Sequence, residues 1–312
     1  MGNVINMAGG GQGVRLVSIA IITAPNKTAY KAGETFNPAG MVVQATYSNG
    51  ATLNCTGYSY EPSGPLPAGQ ASVTIRYTEG GVTCTTPQAI TCTKTSVAIP
   101  SQSGSLTYNG SSQSPTWSNY NTSLMTISGT TSGTNAGTYS AQFTLRNTAL
   151  YQWSDGTTAA KSVNWSINKA AGNITLNKSS IVLNASTLTA TFTVSRYGTG
   201  KITATSGNTT VATVSPASST SSGTVTFTVS SVNGKTGTTS ITISVAADTN
   251  YNAPSNATVS VTASFVSIYG VMWNYANSST ALTRLTSSND PNGYVNTSIT
   301  TSPSPALGTG SG

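Results

Sequence analysis

The chain has 312 residues, and only 6% of them are charged, against roughly 25% in ordinary soluble domains. It contains no histidine, which excludes imidazole catalysis and histidine-based metal sites. Its six carboxylates are scattered singly, so neither a calcium loop nor a two-carboxylate glycosidase site is indicated. The composition predicts a non-enzymatic protein with no catalytic residue, no metal and no cofactor.

The formal net charge of +7 reflects scarce acids rather than clustered bases. Lys27 and Lys31 are the closest approach to a basic patch, so specific nucleic-acid binding is not expected. No apolar stretch reaches the 18 residues that indicate a membrane span, so no membrane insertion is expected either. Residues 16–24 resemble a short secretory segment, but hydroxyl residues interrupt them, and we predict a first β-strand there.

The first predicted unit is a β-sandwich over residues 14–94, with about seven short strands. Met41–Tyr47 alternates up to Asn49-Gly50, which we expect to supply the positive φ angles of a tight hairpin. Val73–Tyr77 is a second alternating strand, and Glu79-Gly80-Gly81 turns it into the next strand. All three cysteines fall in this unit, at positions 55, 84 and 92. They are either one disulfide plus a free thiol or, as we favour, small core residues.

The second predicted unit is a β-sandwich over residues 95–169. In Tyr139–Leu145 every second residue is apolar, and Val163, Trp165 and Ile167 alternate in the same way. Trp117 and Trp153 lie in this unit as well. Because aromatic side chains dominate burial, we interpret the three tryptophans as core and corner residues rather than as a sugar-binding platform.

The third predicted unit is a β-sandwich over residues 170–263, in which threonine fills the outward positions of the strands. Turn residues such as Asn233-Gly234 separate the strands. The remaining parts are a Gly-rich lead at 1–13 and a C-terminal segment at 264–312. That segment has one strand-like run and a Ser/Pro/Gly-rich end, and it is either a flexible tail or the start of a further domain. The expected fold class is all-β, with tandem immunoglobulin-like sandwiches in an extended string.

Three sequence patterns resemble bacterial Ig-like modules. Residues 27–36 (KTAYKAGETF), followed by GMVV at 40–43 and YSNG at 47–50, resemble the bacterial Ig-like group 3 domain. Residues 208–215 (NTTVATVS) are similar to group 2 bacterial Ig-like domains. The middle unit, with AGTY at 136–139, resembles a module that often lies between such domains. These resemblances imply Ig-like folds acting as spacers, adhesins or virion decorations, without catalytic residues.

The segment from Ile268 to Arg284 resembles the start of a C-terminal region in tail-associated proteins of phages and prophages of gut bacteria. An Asp normally follows the tryptophan there, whereas Asn274 follows Trp273 here. The resemblance implies a virion protein of a tailed phage, such as a tail fibre or another appendage, assembled in the host cytoplasm. The alternatives are a head-decoration protein and a bacterial cell-surface adhesin stalk. A secretion signal and an anchor, which the last of these requires, are not visible in the sequence.

The virion interpretation implies particular partners. Residues 1–13 would attach the chain to other virion proteins, and bacterial surface glycans or the envelope would be the target. Unpaired sandwich edges and low charge favour a homo-oligomer within a symmetric particle.

Few side chains are candidates for binding. Asp155, in a Ser-Asp-Gly-Thr sequence, is expected to form a turn rather than to bind calcium, since one carboxylate attracts a hard cation weakly. Lys27 and Lys31 lie in turn-like contexts, which argues against an intramolecular isopeptide bond. Tyrosines that either contact glycans or pack at sheet corners are Tyr58, Tyr60, Tyr120 and Tyr251.

Overall fold

The computed structural model of the chain describes residues 13–265. These residues form β-strands and turns without a helix, which confirms the all-β prediction. No helix in this part of the chain is therefore long and apolar enough to cross a bilayer. The structure divides into two compact units between Ala170 and Ala171, and it contains three separate hydrophobic clusters. The predictions for the Gly-rich lead up to residue 12, for the strand-like run beyond Phe265 and for the phage-like segment lie outside the described residues.

The first sandwich has eight strands rather than about seven. They are β1 (Leu16–Thr23), β2 (Ala29–Lys31), β3 (Val42–Tyr47), β4 (Thr52–Asn54), β5 (Ser59–Glu61), β6 (Ser72–Glu79), β7 (Val82–Ala89) and β8 (Thr91–Thr93). Residues 24–28 separate β1 from β2, and β2 pairs in parallel with β8. Two antiparallel sheets, β1-β3-β4 and β5-β6-β7, complete the unit. Alternation places Val43, Val73 and Ile75 in the core, where they are fully buried.

The β6–β7 and β3–β4 hairpins of this sandwich have different turns, and the second corrects the predicted conformation of Asn49. Gly80 and Gly81 both have positive φ, so they form a two-residue type I′ hairpin between β6 and β7. At the β3–β4 hairpin only Gly50 has positive φ, and the prediction that Asn49 shares it is wrong. The Gly50 N–H donates to the Tyr47 carbonyl, and the Asn49 Oδ1 accepts from the Ala51 N–H. The side chain of Asn49 therefore supports a three-residue loop with one left-handed glycine.

The second sandwich shares its compact unit with the first. Its strands are β9 (Thr95–Val97), β10 (Ser101–Ser103), β11 (Leu106–Thr107), β12 (Thr116–Ser118), β13 (Met125–Gly129), β14 (Gly137–Leu145), β15 (Tyr151–Trp153) and β16 (Lys161–Asn168). The main sheet has the order β11-β16-β14-β13. Trp153 and Trp165 are fully buried, and Trp117 packs edge-on against Phe143 with ring centroids 4.9 Å apart. The tryptophans are core residues, as predicted.

The third sandwich forms the second compact unit. Its strands are β17 (Thr175–Leu176), β18 (Ser180–Leu183), β19 (Thr189–Ser195), β20 (Ile202–Ser206), β21 (Ala212–Ser215), β22 (Ser218–Ser219), β23 (Val225–Ser231), β24 (Gly237–Val245) and β25 (Ala257–Ala263). A four-stranded sheet, β17-β19-β23-β21, faces a five-stranded sheet, β18-β25-β24-β20-β22. Phe192 and Phe227 are paired across β19 and β23, and their rings stack in the core at 5.6 Å. Hydroxyl side chains occupy the alternate positions that face away from this core.

Candidate functional site

The acidic side chains, which are the natural starting point for a chemical site, are separated and engaged in local structure. In residues 13–265 no three His, Cys, Asp or Glu side chains lie together as metal ligands would. Asp155 Oδ1 accepts hydrogen bonds from the N–H and the hydroxyl of Thr157, at 3.0 and 2.8 Å, and Oδ2 pairs with Lys161. Both carboxylate oxygens thus accept hydrogen bonds within the β15–β16 connection, which agrees with the predicted turn role of Asp155.

The Asp155 turn has a testable pH dependence. The Lys161 ammonium and the Thr157 donors lower the pKa of Asp155 to about 2. Because this pKa is depressed in the folded chain, the interaction stabilises the fold above the ordinary aspartate pKa and is lost as the pH falls toward 2. We expect the midpoint temperature of Asp155→Asn to fall below that of the wild type at pH 5 and to converge with it near pH 2. Thermal denaturation at several pH values measures this, and a constant gap down to pH 2 would contradict it.

Lys27 is held on the surface of the first sandwich rather than in its core. Its Nζ lies 3.0 Å from both carboxylate oxygens of Glu34 and 4.8 Å from the centre of the Tyr30 ring. The N–H of Lys31 and the Nζ of Lys27 donate to the Glu34 carboxylate and hold its pKa below the usual range. The Lys27 side chain is 44% exposed, so its surroundings are those of a solvated ion pair rather than of a buried isopeptide site.

A second polar cluster lies at one end of β3 and β6. The Tyr47 and Tyr77 hydroxyls both donate to Oε2 of Glu79, at 2.5 and 3.3 Å. The hydrogen bond to Glu79 raises the pKa of Tyr47, with a smaller contribution from burial. Cys55 is half-buried nearby, and burial followed by the Glu79 charge raises the pKa of its thiol. A thiol with a raised pKa is a poor nucleophile at neutral pH. The hydrogen bond from Tyr47 to Glu79 joins β3 to the end of β6.

The three cysteines have no disulfide partner in the structure. Cys92 is buried on β8, and burial raises the pKa of its thiol. Cys84 on β7 is half-buried, and its thiol donates to the Val17 carbonyl at 3.3 Å. From the sequence, the cysteines were either one disulfide plus a free thiol or small core residues. In the structure they are free thiols in or against the core of the first sandwich.

Three of the four candidate glycan-binding tyrosines pack against the sandwich cores. Tyr60 lies edge-on to Phe36 at 5.1 Å, Tyr120 lies edge-on to Phe143 at 5.6 Å, and Tyr58 contacts the first core. These contacts agree with a packing role for the three side chains.

Tyr251 belongs to an aromatic pair that the sequence did not indicate. Its ring lies 5.7 Å from that of Tyr197, which is 58% exposed. Asp248 joins the loop that contains Tyr197 to the loop that contains Tyr251, because its carboxylate accepts hydrogen bonds from the N–H groups of Thr199, Asn250 and Tyr251. Burial acts to raise the pKa of Asp248, but these donors outweigh it and hold the pKa below its usual value. Tyr197 could not be singled out from sequence because its partner comes from a loop more than fifty residues later.

The feature most relevant to a tandem protein is the junction of the first and second sandwiches. A single residue, Lys94, connects β8 to β9. The N–H of Thr95 donates to the Leu150 carbonyl at 2.9 Å, and the half-buried Leu150 side chain packs on the core of the first sandwich. It lies over Gly33, where a Cβ would be 3.1 Å from Leu150 Cδ2. The junction is therefore a packed contact with almost no free linker.

The comparison with protein families identifies part of the first sandwich. Residues 23–87 match the bacterial Ig-like domain (group 3) model, which confirms the resemblance of that unit. The group 2 character of the third sandwich and the identity of the middle module stay predictions. No curated protein matches the sequence.

Several solved structures are similar to the chain at low identity. Domains 1–6 of the surface layer protein SbsC share 16% identity over 81% of this chain and 40% of that structure, with a TM-score of 0.28. The D00-D0 domain of intimin shares 14% identity over 51% of this chain and 98% of that structure, with a TM-score of 0.23. The Yersinia pseudotuberculosis adhesin InvE shares 14% identity over 81% of this chain and 61% of that structure, with a TM-score of 0.21.

Proposed function

We propose that this chain is a non-enzymatic stalk of Ig-like sandwiches that holds a recognition element away from a particle or cell surface. The observation that carries the proposal is the packed junction at Lys94, where one connecting residue and Leu150 join two sandwiches into one compact unit. A spacer has to transmit its length without folding back, and a short connection with an apolar contact limits bending. The match of residues 23–87 to a bacterial Ig-like family supports the same role.

The stalk proposal makes a prediction at the junction itself. We expect Leu150→Ala to lower the free energy of unfolding by about 1–2 kcal/mol, because a half-buried leucine loses its contact with the first core. We also expect the first and second sandwiches to unfold in one calorimetric transition in the wild type and in separate transitions in Leu150→Ala. Leu53→Ala, at an exposed leucine of β4, is the matched control and should change stability by less than about 0.5 kcal/mol. A single unchanged transition in Leu150→Ala would contradict the coupling.

The location that we propose for the stalk is the virion of a tailed phage, as a tail fibre or another appendage. The support is the sequence resemblance of residues 268–284 to tail-associated phage proteins, together with the tandem order of the Ig-like modules. The proposed partners are other virion proteins on the particle side and glycans or the envelope of the host on the other side. The exposed Tyr197 beside Tyr251 is the surface to examine first for glycan contact.

Electron microscopy of particles that lack the gene tests this location. We expect a projection to be missing from the tail, and gold-labelled antibody against the chain to bind at the same position on wild-type particles. Label on the head would support the head-decoration alternative instead. An unchanged particle together with label on the surface of uninfected bacteria would overturn the virion location and favour the bacterial adhesin stalk.

A further inference from the structure

The loop between β19 and β20 presents an aromatic side chain to solvent. Among the aromatic side chains of residues 13–265, Tyr197 alone is exposed rather than buried or half-buried, with 58% of its surface in solvent. The candidate tyrosines of the first two sandwiches pack against cores instead. Tyr197 therefore keeps most of a phenol ring available to a ligand, at the expense of the apolar burial that such a ring ordinarily gains.

The backbone around Tyr197 is fixed on both sides. The N–H of Tyr197 donates to Oδ1 of Asn173 at 2.6 Å, and the N–H of Thr199 donates to Oδ2 of Asp248 at 2.6 Å. Gly198 lies between them with a φ of +73°, and a Cβ there would overlap the Asp248 carboxylate. The Tyr197 ring is thus left with only its two side-chain torsions, so little conformational entropy is lost when a ligand contacts it.

Tyr251 supplies a second ring beside the first. The ring centroids of Tyr197 and Tyr251 are 5.7 Å apart, and the two planes are inclined by 37°. Tyr251 reaches this position because Gly198 has no side chain, since a Cβ there would lie 2.7 Å from Tyr251 Cδ2. Tyr251 is half-buried. The pair therefore forms an angled platform, with the exposed Tyr197 ring as its accessible face.

The size and the position of this platform favour a small ligand over a protein. Two tyrosine side chains offer about 300–500 Å² when they are covered completely, whereas a stable protein interface takes about 800 Å² from each partner. The other exposed large apolar side chains described in the third sandwich are Val182 and Leu188. Leu188 precedes β19 and Tyr197 follows it, about 30 Å away along the strand. Val182 pairs with Thr262 near the end of β25, whereas Tyr251 precedes that strand, so neither side chain extends the platform.

A neutral sugar ring matches the chemistry of the platform. The face of an aromatic ring carries partial negative charge. The C–H groups on one face of a pyranose are apolar and weakly positive, so that face stacks on a phenol ring. Thr199, exposed two residues after Tyr197, carries a hydroxyl that can donate to or accept from a sugar hydroxyl. The carboxylate of Asp248 accepts from the N–H groups of both loops, and it thus supports the platform rather than the ligand.

We propose that Tyr197 and Tyr251 bind the face of a neutral pyranose within a glycan chain, with Tyr197 as the stacking ring. For its biological role this inference rests on the proposed contact with host glycans, whereas the sugar binding itself holds for a stalk at any location. One platform of this size binds weakly, and several chains on one surface bind together through avidity.

Saturation-transfer difference NMR on the full chain tests the platform, with maltotriose, lactose and triacetylchitotriose as the probes. We expect the ring C–H protons of at least one probe to receive saturation at millimolar concentration. Tyr197→Ala should weaken that binding on the order of tenfold, because the stacking ring is lost. Tyr197→Phe should retain it, because the aromatic face remains. Leu188→Ala, an exposed position at the other end of β19, is the matched control and should bind as the wild type does.

Four outcomes overturn the proposal. Three are the absence of saturation transfer to all three probes, equal binding by the wild type and Tyr197→Ala, and equal weakening in the phenylalanine and alanine variants. The fourth is self-association of the wild type that Tyr197→Ala abolishes in sedimentation velocity, which would assign the pair to a second copy of the chain. The stalk is decided separately by the calorimetry of Leu150→Ala and by the particle images, so either proposal can fail without the other.

Discussion

Replacing Trp165 by alanine is expected to destabilise the second sandwich by about 3–5 kcal/mol, the range for truncating a fully buried large aromatic residue. Trp165 is 1% exposed on β16, and its ring stacks on Tyr139 of β14 with centroids 4.5 Å apart. Its indole N–H donates to the Thr130 carbonyl at 2.7 Å, so the substitution also leaves a polar group without its partner. Urea unfolding followed by tryptophan fluorescence and circular dichroism measures the loss.

Two further variants separate the contributions of ring packing, the indole N–H and depth of burial to the effect of Trp165→Ala. Trp165→Phe keeps most of the ring contact and loses the N–H, so we expect a loss smaller than that of the alanine variant. Trp117→Ala, at a half-buried position of the same core, should cost less than Trp165→Ala. If Trp165→Ala and Trp117→Ala destabilise equally, the depth of burial does not decide the energetics of this core.

Replacing Gly200 by alanine is expected to destabilise the third sandwich by about 3 kcal/mol or more. Gly200 is buried two residues before β20, and a Cβ there would overlap the carbonyl oxygen of Ala246. The N–H of Ala246 donates to the Lys201 carbonyl at 2.9 Å, so the two backbones cannot separate without losing a ladder hydrogen bond. Overlap with backbone is costly because the clash cannot be relieved by a side-chain rotation.

Gly207 offers the matched control for this substitution. A Cβ at Gly207 would meet its nearest atoms at 3.5 Å, which is ordinary contact, and its φ lies outside the left-handed region. We expect Gly207→Ala to change the free energy of unfolding by less than about 1 kcal/mol. Thermal unfolding of the two variants gives the comparison. Equal midpoint temperatures for both would contradict the close contact between the backbones of Gly200 and Ala246.

Much of the fold could be predicted from period-two patterning, because residues that alternate along a strand face opposite sides of a sheet whatever their partners are. The strand that ends at Leu145 and the strand around Trp165 were predicted with the correct buried faces. Two-residue glycine turns such as Gly80-Gly81 were equally readable, since few other residues adopt positive φ at both positions. Asn49 misled the prediction because asparagine is tolerated at positive φ without requiring it.

The candidate sites were less predictable, because each depends on residues that are distant in the sequence. Leu150 showed no pattern that distinguished it from any loop leucine, yet it covers the core of the preceding sandwich beside Gly33. Tyr197 likewise became a candidate only because its ring lies beside that of Tyr251 in the folded chain. A sequence pattern records which face a residue takes on its own strand, and it does not record which loop of another element meets that residue.

Composition and alternation are local properties, and they were sufficient to establish a low-charge, all-β chain. The resemblance of residues 27–50 to a known family, rather than composition, indicated the Ig-like module that matches at residues 23–87. Composition and alternation also established the type of surface, since hydroxyl residues occupy the outward strand positions where charged residues would ordinarily lie. The packed junction of Lys94 and Leu150 became visible only in the folded chain. This junction depends on how the end of the first sandwich meets a loop of the second sandwich. Burial at such an end is therefore set by the neighbouring segment rather than by the strand itself.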